Sequence, residues 1–151
     1  MTREETKKIV SMIVKAFPRF TIVQDKEGMD LWHECLSDIP YEDARECVIE
    51  SIKTKEFPPA IAEIRKAYEE MLDQRKKVET HITDYYNRAR NYYPSCENYG
   101  EGIDEWKTAV GNDVGKAAKL CNLIVGKVNN ASEGEQLPSF GEIVKEIKKE
   151  L

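Results

Sequence analysis

Phe57-Pro58-Pro59-Ala60-Ile61-Ala62-Glu63-Ile64-Arg65-Lys66-Ala67 is the stretch whose reading decides the fold. Its two prolines end whatever precedes them, because proline lacks an N–H and its ring keeps the residue before it out of the helical region. Directly afterwards the apolar residues take helical spacing, with Ile61, Ile64, Tyr68, Met71 and Leu72 on one face. Glu63 sits in the first turn, where the helix dipole favours a negative charge. The segment is a stop followed by a docking helix. A second version stands near the end of the chain, Gln136-Leu137-Pro138-Ser139-Phe140-Gly141-Glu142-Ile143. Pro59 matches Pro138, Ile61 matches Phe140, Glu63 matches Glu142 and Ile64 matches Ile143, all at a shift of 79 residues.

Upstream of this stretch the pattern is helical throughout. Thr2-x-x-Glu5 reads as a capping box, in which hydroxyl and carboxylate each satisfy an orphan backbone N–H. Ile9, Val10, Ile13, Val14 and Phe17 form the stripe of a first helix, which Pro18 stops. Residues 20–23 are rich in β-branched side chains and read as an extended connection. A short helix over 26–36 directs Leu31, Trp32, Cys35 and Leu36 inward, with Gly28 weakening its start. Ser37-Asp38-Ile39-Pro40 is a break, and a third helix over 40–55 buries Tyr41, Ala44, Cys47, Val48 and Ile52. The fourth runs to about residue 78, its charged end (73–79) protruding or joining two modules.

Downstream the same order returns. Ile82, Tyr85, Tyr86, Ala89, Tyr92 and Tyr93 follow the spacing of an amphipathic helix. Tyr93-Pro94 closes it as Phe17-Pro18 closed the first, at a shift of 76, and a polar loop follows over 95–102. Trp106 lies 74 residues beyond Trp32 on another short helix. Asn112 or Asp113 caps the next helix, with Ala117, Leu120, Cys121, Ile124 and Val128 inward. Ser139 and Glu142 then form a capping box before Ile143, Ile147 and Leu151. Shifts of 74, 76 and 79 differ by only a few residues, which loops absorb cheaply. The expectation is an all-α protein of about eight helices in two similar four-helix modules, 1–78 and 79–151, joined near 76–80. This is a tandem duplication in which Trp32 and Trp106 hold equivalent core positions.

Charge narrows the function. The 151 residues carry 23 basic and 28 acidic side chains, a net charge of −5. Up to Val78 there are 14 basic against 16 acidic residues, and 9 against 12 after it, so neither half has the basic excess that phosphate-backbone binding needs. No apolar run is long enough to cross a bilayer, and residues 1–8 are too polar for a signal peptide, so the cytoplasm is the expected compartment. Cys35, Cys47, Cys96 and Cys121 form no C-x-x-C pair, and only His33 and His81 are available to join them, so reduced apolar thiols are expected rather than a metal site.

Gly111-Asn112-Asp113-Val114-Gly115-Lys116 fails as a phosphate loop. It has three residues between its glycines instead of four, and Ala117 where magnesium needs Ser or Thr. A turn and helix cap is the expectation. The Tyr85–Tyr93 run invites a base-stacking reading, but four tyrosines at helical spacing are more often a core face. Acidic pairs such as Glu42-Asp43 sit among lysines and arginines as solvated faces, and no serine lies in a G-x-S-x-G context. Neither a catalytic residue nor a metal ligand set is identified, and no cofactor is expected. The exposed contacts of the second half are expected at Arg88, Arg90, Tyr92 and Tyr99, since arginine and tyrosine are enriched at binding hot spots.

Thr2-Arg3-Glu4-Glu5, Phe17-Pro18-x-Phe20, Leu31-Trp32-x-x-x-Leu36 and the F-P-P-x-I-A-E-I-R run from Phe57 to Arg65 together resemble the phage replicative helicase loader/inhibitor family of low-GC Gram-positive bacteria, over residues 1–72. The resemblance implies an all-helical adaptor without catalysis of its own. It implies binding to a hexameric replicative DNA helicase and control of its loading or activity in phage or prophage replication. It also brings in replication-origin and single-strand-binding proteins as partners, in the bacterial cytoplasm. In that family the C-terminal part varies and is implicated in contacting the helicase; here it reads as a second helical module. Two other readings stand beside it: a helical interaction module with a different host or phage target (a regulator or an anti-defence protein), and a nucleic-acid binder, which the charge disfavours.

Overall fold

The computed structural model describes residues 1–19, 25–94, 102–132 and 135–151. Among them are seven α-helices, one 3-10 turn and no strand. The helices are α1 (Arg3–Ala16), α2 (Lys26–Leu36), α3 (Tyr41–Thr54), α4 (Ile61–Tyr92), α5 (Ile103–Val110), α6 (Val114–Asn130) and α7 (Phe140–Ile147), and the turn is Lys148–Glu150. The chain divides into two compact units, Met1–Asp73 and Gln74–Leu151. The connection expected at 20–23, Cys96, Tyr99 and most of the loop at 95–102 lie outside the described residues.

In the first unit the capping box forms as the sequence predicts: Thr2 Oγ1 accepts from the Glu5 N–H at 3.3 Å, and the Glu5 carboxylate accepts from the Thr2 N–H at 2.7 Å. Ile9, Ile13 and Phe17 of α1 pack with Leu36, Ile39, Ala44, Cys47, Val48 and Ile64. Thr6 is fully buried and stays satisfied, its Oγ1 lying 3.1 Å from both the Thr2 carbonyl and His33 Nδ1. On α2 the inward face differs from the expected one. Leu31 is 54% exposed, whereas Leu36 is buried. Five residues at about 100° each put those two leucines roughly 140° apart, so one face cannot hold both. The face that turns in carries Trp32, His33 and Leu36, with Cys35 half-buried beside it.

The second unit is built on an aromatic cluster. Trp106 meets Tyr86 edge-on at 5.8 Å, Tyr86 meets Phe140 at 5.9 Å, and Phe140 meets Tyr93 at 5.5 Å. Ile82, Ala89, Leu120, Cys121, Ile124, Ile143 and Ile147 complete this core. Gly102, at φ +69°, lets the start of α5 approach α7, because a Cβ there meets Phe140 Cδ1 at 2.8 Å. The failed phosphate loop is a turn: Gly111 ends α5 at φ +55°, and Asp113 caps α6 by accepting from the Lys116 N–H at 3.0 Å.

Among the described residues the expected eight helices are seven, because the joint placed near 76–80 is continuous helix. Residues 73–81 are polar or charged and exposed apart from half-buried Val78, but they contain neither proline nor glycine, so nothing in them breaks the helix. The two tryptophans are not equivalent either. Trp106 is buried in its core, while Trp32 is half-buried at the margin of the first. The duplication is not shown by the structure. What recurs is the local helix start: the Ala60 N–H donates to the Glu63 carboxylate at 2.8 Å and the Ser139 N–H to that of Glu142 at 3.0 Å, with Ile64 and Ile143 buried one residue on.

Candidate partner-binding surfaces

The proline-pair motif spends its polar residues on architecture. The Glu63 carboxylate accepts from both the Ala60 N–H and Lys55 Nζ (2.7 Å), and the Lys55 contact followed by the backbone one holds it below the ordinary carboxylate range. Arg65 donates from Nη1 to the Cys35 carbonyl at 2.6 Å and forks onto Asp38 at 2.8 and 2.9 Å, tying the first turns of α4 to the end of α2. Pro59 and Ile64 are buried. Phe57, in contrast, is 63% exposed. With Leu31 it gives the first unit two large apolar side chains that face water.

On the outer side of α1, Lys8 stands 5.8 Å over the Tyr41 ring and Lys7 pairs with Glu4 at 2.7 Å. This is a solvated helix face of mixed charge. Among the described residues no three His, Cys, Asp or Glu side chains come together in a way that holds a metal ion.

In the second unit the tyrosine run splits. Tyr86 and Tyr93 are core residues, and the Tyr93 hydroxyl donates to the Pro138 carbonyl at 2.6 Å. Tyr85 is half-buried against the core and Tyr92 is 52% exposed. Arg88 is exposed and one turn from Tyr92, so the pair shares one edge of α4. Burial raises the Cys121 thiol above its ordinary value, and the positive charge of Arg88 acts against that rise. Arg90 is half-buried, and two helical steps set it about 160° from Arg88, on the other flank. The geometry thus brings Arg88 and Tyr92 together, separates Arg90 from them, and leaves Tyr99 outside the described residues.

The helical scaffold of the first unit is one that comparison recognises. Residues 1–65 match the family model for the N-terminal domain of a phage helicase loader. The match ends on Arg65, inside the second turn of α4, and so takes in α1, α2, α3 and the helix start with its proline pair. The resemblance read from Phe17-Pro18, Leu31-Trp32 and Phe57-Pro58-Pro59 holds over this segment. No curated protein and no solved structure matches the chain.

Sequence reasoning missed two surface features. Leu31 reads as core and Phe57 as punctuation, yet both side chains face water. The signal for Leu31 lay in its five-residue offset from Leu36. For Phe57 the signal was its place between Glu56 and Pro58, in the connection from α3 to α4 rather than on a helix face.

Proposed function

We propose that this chain is a non-catalytic adaptor that binds a hexameric replicative DNA helicase and controls its loading or activity during phage or prophage DNA replication in the bacterial cytoplasm. The observation that carries the reading is the match of residues 1–65 to the N-terminal domain of the phage helicase loader. The physical picture agrees with it. The chain has a net charge of −5, and no helix among the described residues is long and apolar enough to cross a membrane. Adaptor function needs surfaces, and charge complementarity to a DNA-handling motor speeds encounter and sets specificity more than it adds affinity.

The proposed contact surface lies in the second unit around Arg88, Arg90, Tyr92 and Tyr99. Arg88 and Tyr92 form its centre, because they share an edge and combine an exposed guanidinium with an exposed ring. Origin-bound and single-strand-binding proteins are further proposed partners. The test is titration of the purified helicase of the phage or its host with this protein, followed by ATPase rate. A change that saturates supports the adaptor reading; a rate indifferent to the protein at micromolar concentration removes control of the helicase and favours a different host or phage target.

A further inference from the structure

We propose that the cleft between α6 and α7 is a docking groove for a basic amphipathic helix of the partner protein. The cleft is open, about 620 Å³ in volume, with Leu123, Leu137 and Pro138 as its accessible apolar lining; Ile143 borders it but is itself buried. Gly126 lies inside α6, one turn before its end, and lines the cleft. A glycine inside a helix lowers helix stability relative to alanine. Nothing in the fold calls for one here, since a Cβ at this position meets no atom within 4 Å. Its bare backbone serves instead to let another backbone come close. Asn122 and Asn130 stand one turn before and after it in the same row, offering amides on either side of that point of approach.

Charge specifies the occupant. Lys127 Nζ is matched by Glu146 at 2.6 Å, so those two cancel. Glu135 accepts from the Ser132 N–H at 3.0 Å and has no cation within ion-pair distance among the described residues. The groove therefore presents an apolar lining of Leu123, Leu137 and Pro138, a point of close approach and one uncompensated carboxylate. A helix that lays an apolar face into it and carries Lys or Arg opposite Glu135 satisfies all three.

The inference rests on the adaptor reading and takes the helicase as the protein that supplies the helix. The experiment measures the dissociation constant of the hexamer for the full chain and for two variants, with thermal melting of each. Gly126→Gln fills the point of approach, and its melting temperature stays level or rises while affinity falls by about tenfold or more. Glu135→Gln keeps an oxygen for the Ser132 N–H and removes only the charge; affinity falls by about two- to fivefold at low salt, and the gap closes at high salt. Full affinity in Gly126→Gln overturns the groove assignment while leaving the adaptor reading in place. No association of the unaltered chain overturns both.

Discussion

The guanidinium of Arg65 grips the Asp38 carboxylate with both of its terminal nitrogens, at 2.8 and 2.9 Å, and its Nη1 also reaches the Cys35 carbonyl. One side chain thereby closes the end of α2 onto the start of α4. A lysine cannot reproduce the fork, because it is a point charge on a flexible stem.

The contact has a pH signature. The Arg65 hydrogen bonds and charge hold the Asp38 carboxyl below its ordinary value. A carboxyl depressed on folding contributes stability that is whole above its unfolded pKa, about 3.9, and that disappears as pH falls through the lower folded value. Carbon-detected titration of the carboxyl in Arg65→Lys should find Asp38 moved upward toward its ordinary range. An unmoved Asp38 means the fork does not set its charge.

The tryptophans should behave differently. Trp106→Ala empties an aromatic core site and should cost about 3–5 kcal/mol in a urea melt. Trp32→Ala should cost about 1–2 kcal/mol, because part of its surface already meets water. Equal losses would restore the equivalence that the burial of the two side chains denies.

These cases show what could be read in the chain before its structure. Proline stops and the Thr2 and Ser139 capping boxes are local chemistry, and they appear where Pro18, Pro59, Glu5 and Glu142 put them. The tyrosine core was legible too, from the spacing of Ile82, Tyr86, Ala89 and Tyr93. What stayed hidden depends on neighbours distant in sequence. Whether Trp32 or Leu31 turns inward follows from where α1 lies, with Thr6 holding His33. The continuity of α4 depends on the absence of a breaker rather than on any positive signal, so a polar stretch passed for a joint. The Arg88–Tyr92 edge was half legible: helical spacing pairs those two residues, and the same spacing sends Arg90 to the other flank.

That continuity has a direct test. Thr80 is exposed, and its N–H belongs to the unbroken ladder of α4. Thr80→Pro should therefore lower helicity by circular dichroism and cost about 3 kcal/mol, as proline does inside a helix. Unchanged helicity and stability would mean that the chain has a joint there after all.

Gly102 gives a second backbone test. At φ +69°, with Phe140 Cδ1 2.8 Å from where a Cβ stands, Gly102→Ala meets both strain and a clash. The backbone part alone costs roughly 1–3 kcal/mol. Gly126→Ala, in open space on α6, should do the opposite and stabilise by about 0.5–1 kcal/mol. Chemical denaturation of the two variants side by side checks the pair, and a stable Gly102→Ala would contradict the close approach of α5 and α7.

The most direct test of the adaptor reading is the mass of a mixture. Purified helicase hexamer, from the phage or its host, is combined with the full chain and passed through size-exclusion chromatography with light scattering. A complex heavier than the hexamer is expected at a fixed stoichiometry, weakened by Arg88→Ala and by Tyr92→Ala while each variant alone melts as the unaltered chain does. A hexamer that elutes at its own mass in the presence of micromolar protein contradicts the adaptor reading.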